Sequence, residues 1–228
     1  MMRILHIETA SEVCSAALSE NSAVLVEKIC KKTQSHAIKL PVFLQEIITF
    51  ADENFKMPDA VAVSAGPGSY TGLRIGVSSA KGLCYGLNIP LISIDTLQLI
   101  AAEAQKSINC PTLLCPMIDA RRMEVYTALF DENLQKISPT EAKIIDENSF
   151  ESELKTSKIV FCGNGVEKCK NILKSNNAIF LDNINPLSIN MIQEAERKFK
   201  SNIFENTAYF EPFYLKEFLA TPPKKIYI

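Results

Sequence analysis

The segment richest in residues that could do chemistry is Ser64-Ala65-Gly66-Pro67-Gly68-Ser69-Tyr70-Thr71-Gly72-Leu73-Arg74-Ile75-Gly76. It reads as a strand end, a tight glycine turn and a helix start, with Ser69 or Thr71 available as the N-cap. Free N–H groups at a helix start attract anions, so a phosphate cradle is one reading. The spacing of the common phosphate loops is missing. No Lys follows the glycines before Lys81, and Gly72 comes one residue too late for GxGxxG. The other reading is a packing surface. Gly72, Gly76 and Ala80 fall at i, i+4 and i+8, and Ser79, Gly82 and Gly86 widen the smooth region. Each mid-helix glycine costs about 0.5–1 kcal/mol relative to alanine, so several of them require a compensating gain. Close backbone approach supplies one, either by a partner helix or by the lobe's own sheet.

Other candidates are sparse. Histidine stands only at His6 and His36, and the residue four after His36 is Leu40. Two histidines one turn apart on a helix, as a metal needs, are therefore excluded. His36 reads as a helix-start residue and His6 as a strand residue. Glu8 and Asp119 could hold a hydrated Mg²⁺ across a cleft, or stabilise turns. Gly163-Asn164-Gly165 could approach an adenosine, or form a plain turn. Two histidines provide no recognisable Ser/His/Asp or Cys/His grouping. The seven cysteines, at 14, 30, 84, 110, 115, 162 and 169, form no CxxC pair and sit mostly in apolar runs. They read as small buried hydrophobes of a reducing compartment.

The elements that must position these residues follow from periodicity. Ile4–Ile7, Cys14–Ser19 and Ala23–Ile29 read as strands, with Asn21-Ser22 as a hairpin turn. Apolar residues at helical spacing predict a helix over 36–51, with Pro41 near its start. A short strand at Ala60–Val63 precedes the glycine turn and a helix over 71–85. A strand at 89–94 and a helix at 96–106 follow. Asn109-Cys110-Pro111 reads as a hinge, after which strands recur at 112–118, 124–130, 134–138 and 159–162. Helices are expected near 166–174 and 187–200, and residues 139–157 carry the weakest pattern. Residues 7–18 also lie over 118–129 without a gap: strand, acid, polar turn, strand ending Ala-Leu. That match is short enough to be chance by itself. With the repeated element order it predicts two ββ-led lobes, 1–108 and 109–228, of the actin, Hsp70 and sugar-kinase type.

Composition sets the outer limits. The chain has 228 residues, 47% hydrophobic, enough for one well-buried domain or two small lobes. The net charge is -2 and the pI about 5.8, so unaided RNA binding through a broad basic face is disfavoured. No stretch reaches ~18 apolar residues, and Glu8 interrupts the opening apolar run. The expectation is a soluble, cytoplasmic protein with no membrane partner.

The segment Gly66–Gly76 resembles the signature of the TsaB (YeaZ) family. The opening Arg3–Ala10, then Ile118–Arg121 with Glu124–Tyr126, and the late Pro212–Lys216 resemble the same family in the same order, across nearly the whole chain. The resemblance implies an α/β, actin-like or Hsp70-like (ASKHA, ribonuclease H-like) fold: two related lobes with mixed sheets flanked by helices. It implies a non-catalytic dimerisation or scaffold subunit for tRNA N6-threonylcarbamoyladenosine-37 (t6A) synthesis. Such a subunit has no catalytic residues and no metal. It would bind and activate the catalytic paralogue TsaD, or pair with itself, and act beside the ATPase TsaE. tRNA would be engaged only through the complex. No cofactor would be tightly bound, with ATP or ADP placed at complex interfaces. The partner interface would be Ser69, Tyr70, Thr71, Gly72, Arg74, Ile75, Gly76, Ser79 and Ala80. Vestigial nucleotide-cleft residues would be Glu8, Thr9, Asp119, Gly163 and Gly165. The family usually has Asp at Glu8 and Arg-Met-Gly-Glu at Arg121–Glu124, which weighs against nucleotide contacts there. The alternative is a stand-alone enzyme of this fold, a small-molecule kinase or a glycoprotease-like peptidase. TsaD holds its metal with an HxxxH pair, which this chain lacks, and this chain's hairpins are short of the glycine a kinase wants.

Overall fold

The computed structural model describes residues 1–32, 35–108 and 112–216. Strands β1 (Arg3–Glu8), β2 (Cys14–Glu20) and β3 (Ala23–Cys30) form an antiparallel meander. Asn21 and Ser22 both adopt positive φ, as a two-residue hairpin turn requires. On its other edge β1 pairs in parallel with β4 (Ala60–Gly66), and β4 pairs with β5 (Leu91–Asp95). Parallel neighbours need crossovers, supplied by α1 (His36–Glu53) and α2 (Tyr70–Leu87). The order of the first sheet is β3-β2-β1-β4-β5.

The second sheet repeats that plan. Its strands are β6 (Leu113–Asp119), β7 (Glu124–Thr127), β8 (Glu141–Ile144), β9 (Ile159–Cys162) and β10 (Ala178–Leu181), in the order β10-β9-β6-β7-β8. Read from the β8 edge, this is the first sheet's order. Two such mixed sheets flanked by helices make the α/β, actin-like (ASKHA, ribonuclease H-like) fold. The two hairpins are not identical. Glu8 pairs with Ser15, whereas the corresponding Asp119 pairs with Val125, so the second turn is one residue tighter.

One face of the first sheet buries Leu5, Ile7, Ala16, Leu18, Val61 and Val63 under α1 and α2. Each buried Val, Leu or Ile side chain among them stabilises the fold by about 1.5–3 kcal/mol. Helix α3 (Thr96–Gln105) turns Leu97, Ile100, Ala101 and Ala104 toward the second sheet and Leu99 toward the first. With α3's main stripe used elsewhere, the back of the first sheet needs another cover. A 3₁₀ turn (Ser188–Met191) and α5 (Ile192–Lys200) supply it, placing Met191 and Ala195 on Ile4, Ala60, Ala62, Ile92 and Ile94. Glu205 N then donates to Leu91 O at 2.9 Å, capping the β5 edge. Residues 188–205 thus pack on the first sheet although they fall within the span 109–228.

Other local expectations need correction. Residues 166–174 form successive turns rather than a helix, closed by Cys169 N to Val166 O (2.8 Å) and Ile172 N to Cys169 O (3.0 Å). Val166, Cys169 and Leu173 are buried at the spacing that suggested a helix. Residues 134–138 make one isolated bridge, Phe130 to Lys136, instead of a strand. Residues 139–157 contain β8 and a short α4 (Glu151–Thr156). The hinge expected at Asn109-Cys110-Pro111 lies outside the described residues. Among the described residues no helix is long and apolar enough to cross a membrane.

Candidate functional site

Ser69 caps α2, its Oγ accepting from Gly72 N at 3.3 Å, while Ser69 N donates to Ala10 O at 2.8 Å. Thr9 Oγ1 donates to Gly72 O at 2.8 Å. These bonds bring the β1–β2 turn directly onto the helix. A side-chain carbon added at Gly72 would run into the Thr9 carbonyl oxygen, and one at Gly76 into Thr9 Oγ1. One at Gly68 would come within 2.8 Å of Ala10 Cβ. Gly68, Gly72 and Gly76, one turn apart, are the seat of this lobe's own hairpin. Gly72 and Gly76 are buried there, and Ala80 is buried in the core of the same lobe. The spacing does signal close backbone approach, and the backbone that approaches is the end of β1.

The outer face of α2 carries a second small-residue stripe. Ser78, Gly82 and Gly86 are exposed at i, i+4 and i+8, beside exposed Thr71, Arg74 and Tyr85. A side-chain carbon at Gly82 or Gly86 would meet nothing within 4 Å. Of the residues expected at a partner interface, Ser69, Thr71 and Arg74 are exposed, and Tyr70, Ile75 and Ser79 are half-buried. Arg74 Nη1 donates to Tyr70 Oη at 2.9 Å, and the Tyr70 ring packs on Tyr214 with centroids 4.9 Å apart.

A cleft of about 1210 Å³ separates the lobes. The start of α2, the β1–β2 turn and the α1 start at His36 line one side. Asp119–Arg122, Glu124 and Asn164 line the other, and the tail Phe213–Lys216 also lines it. Phe213 N donates to Ala65 O at 2.7 Å, and Lys216 pairs with Glu124 of the second lobe. Asp119 Oδ1 accepts from Arg121 N at 3.0 Å and pairs with Lys168. Asn164 Oδ1 accepts from Asp119 N at 2.9 Å.

Of the five expected cleft residues only Asp119 lines the cleft. Thr9 is buried against α2. Gly163, at φ +102°, and Gly165 let the chain cross β6 closely, with Gly165 N donating to Met117 O at 2.9 Å. Glu8 is fully buried at the end of β1, its Oε1 accepting from Ala10 N at 2.6 Å. It is a turn-holding acid. Neither Glu8 Oε2 nor the oxygen of buried Ser64 has a hydrogen bond of good geometry. Sequence reasoning missed Ser78 and Tyr85 on α2 and gave Tyr214 and Lys216 no place in the cleft; it named Asn164 only within a glycine turn, and Gly82 and Gly86 only as part of one smooth surface. The tail's family resemblance was a signal for Tyr214 and Lys216. Only the helical period could have indicated the outer face of α2.

Burial pushes the Glu8 carboxyl up to about 7 from an ordinary 4.5, outweighing the Ala10 N–H and Ser64, which favour the charged form. Between those two values the folded chain holds a proton that the unfolded chain has lost, so stability falls as pH rises through this window. At about 1.4 kcal/mol per unit, the wild type should lose roughly 3 kcal/mol relative to Glu8→Gln between pH 4.5 and 7, then run parallel above it. Denaturant titrations across that range check this. Parallel curves throughout would contradict the buried, protonated Glu8. His6, also buried, has its pKa pushed down to about 3 by that burial; its Nε2 bonds Ser19 Oγ at 2.8 Å.

A family model described as "TsaD: tRNA N6-adenosine threonylcarbamoyltransferase" matches residues 24–228. The chain is similar to the tRNA threonylcarbamoyladenosine biosynthesis protein TsaB of Escherichia coli, 40% identical over 135 residues, covering 58% of this chain and 57% of that one. The Bacillus subtilis TsaB is 33% identical, over 57% of this chain and 55% of its own. The match thus spans a little over half the length of these two relatives. The TsaB of Buchnera aphidicola from Acyrthosiphon pisum is 30% identical over 89% of this chain and 94% of its own. A Pseudomonas aeruginosa structure described as an uncharacterized protein with similarity to peptidase YEAZ superposes with a TM-score of 0.82, at 20% identity, over 95% of this chain and 100% of that one. At that identity it speaks for the fold alone. With the fold repeated in both lobes and relatives matching over most of its length, the chain belongs to the TsaB (YeaZ) family.

Proposed function

We propose that the chain is a non-catalytic subunit of the bacterial t6A synthesis complex, binding and activating TsaD through the outer face of α2 and working beside TsaE. The observation that carries this reading is the exposed stripe Ser78, Gly82 and Gly86, open to solvent and smooth enough for a partner helix to approach. It is bordered by Thr71, Arg74 and Tyr85, and Tyr85 is 89% exposed. The same face could pair two copies of the chain. The cleft supports the non-catalytic part of the reading. Two of its acids, Asp119 and Glu124, are already held by Lys168 and Lys216, a third, Glu12, lines the β1–β2 turn side, and Glu8 is fully buried at the end of β1. In this reading ATP or ADP binds at interfaces of the complex and tRNA is met through the partners; the net charge of -2 fits the latter. The test is turnover: the chain with tRNA and threonylcarbamoyl-AMP should give no threonylcarbamoyl-adenosine until TsaD is added. Product from the chain alone would refute the reading.

A further inference from the structure

Cys14 and Cys30 stand directly opposite each other on the β2–β3 ladder. Opposed residues of an antiparallel pair have Cα atoms about 4.5–5.5 Å apart, inside the roughly 4.4–6.8 Å that a disulfide spans. Both side chains lie on the α1 side of the sheet, Cys14 in the core with Leu40 and Leu44 and Cys30 packed at its edge. Both are free thiols, Cys14 buried and Cys30 partly exposed. The geometry points to a modification site in which Cys30 is a peroxide-reactive thiol and Cys14 its resolving partner, so that oxidation closes a cross-strand disulfide between them.

The surroundings set the order of events. Cys30 Sγ lies 3.4 Å from Ser35 Oγ. That hydroxyl, the Lys32 backbone and the charges of Lys39 and Lys32 hold the Cys30 thiol below the ordinary cysteine value. Burial, with smaller contributions from Cys30 and Glu8, pushes the Cys14 thiol up to about 12. Burial also raises Cys84, Cys115, Cys162 and Cys169. Reaction therefore starts at Cys30, because the thiolate is the nucleophile. Its sulfur attacks the terminal oxygen of a hydroperoxide and the O–O bond breaks. Cys30 becomes a sulfenic acid, and the leaving alkoxide or hydroxide takes a proton to depart as alcohol or water. Cys14 then gives up its S–H proton and its sulfur attacks the Cys30 sulfur; the S–O bond breaks and water leaves. Two thiols are oxidised and one peroxide is reduced. The new bond removes the Cys30 S–H beside Ser35 Oγ; Ser35 precedes α1, whose first residues His36 and Ala37 line the cleft.

Alkylation with peptide mapping should label Cys30 at least about tenfold faster than any of the five buried cysteines, which react only through opening of the fold. Graded hydrogen peroxide followed by non-reducing digestion should yield the Cys14–Cys30 peptide pair, reversed by dithiothreitol. Cys30→Ser should abolish it. Cys14→Ala should stop at a sulfenic acid trapped by a dione reagent. Slow alkylation of Cys30, oxidation that runs to sulfinic acid with Cys14 present, or a disulfide joining any other pair would each overturn the assignment.

Discussion

Gly76→Leu is expected to cost this protein much of its stability. The helix itself would gain up to ~1 kcal/mol from losing a glycine. That gain is outweighed because the leucine would have to enter the space held by Thr9 Oγ1, and Thr9 is fixed by its bond to Gly72 O at 2.8 Å. Overpacking of this kind costs about 1–3 kcal/mol, and more where the obstructing atoms cannot move. Here they belong to a strand end in the centre of the sheet. With the helix gain set against it, a net loss of about 2 kcal/mol would lower the melting midpoint by roughly 4–8 °C for a chain of this size. A thermal melt decides it. A Gly76→Leu protein that melts like the wild type would mean that the hairpin does not rest on this helix.

The same helix shows how far the sequence could be read. Its start and its run of small residues were legible, and its cap was narrowed to Ser69 or Thr71, because caps and i, i+4 spacing are local. Which face the small residues serve was not, since two stripes a third of a turn apart each fit a smooth surface. Gly72 and Gly76 are claimed by Thr9, which is remote in sequence, and Gly82 and Gly86 are left open. The first sheet was legible strand by strand because its strands are apolar and bounded by turns. In the second lobe, Val166, Cys169 and Leu173 have a helical period but close into turns, and α5 leaves its own lobe to cover the first sheet. Periodicity tells which residues are buried but not against what. The cleft was legible only in part. Asp119 was placed by the internal repeat, whereas Glu8, at the matching position, is drawn behind the sheet between Ser15 and Ser64.

Gly82→Leu is the counterpart to Gly76→Leu and separates the two faces of the helix. Nothing lies within 4 Å of the added carbon, so folding should be unaffected or improved by up to ~1 kcal/mol of helix propensity. If a partner helix seats against Ser78, Gly82 and Gly86, the isobutyl group holds it away and the close contact is lost. A loss of about 1.4 kcal/mol is tenfold in affinity, and overpacking at a tight contact is of that size or larger. The most direct measurement is sedimentation of Gly82→Leu with TsaD over a concentration series, beside the wild type and a thermal melt of both. The account predicts a variant that melts at least as well as the wild type and binds TsaD at least about tenfold more weakly. A stable Gly82→Leu protein that binds TsaD as tightly as the wild type would show that the outer face of α2 is not the docking surface.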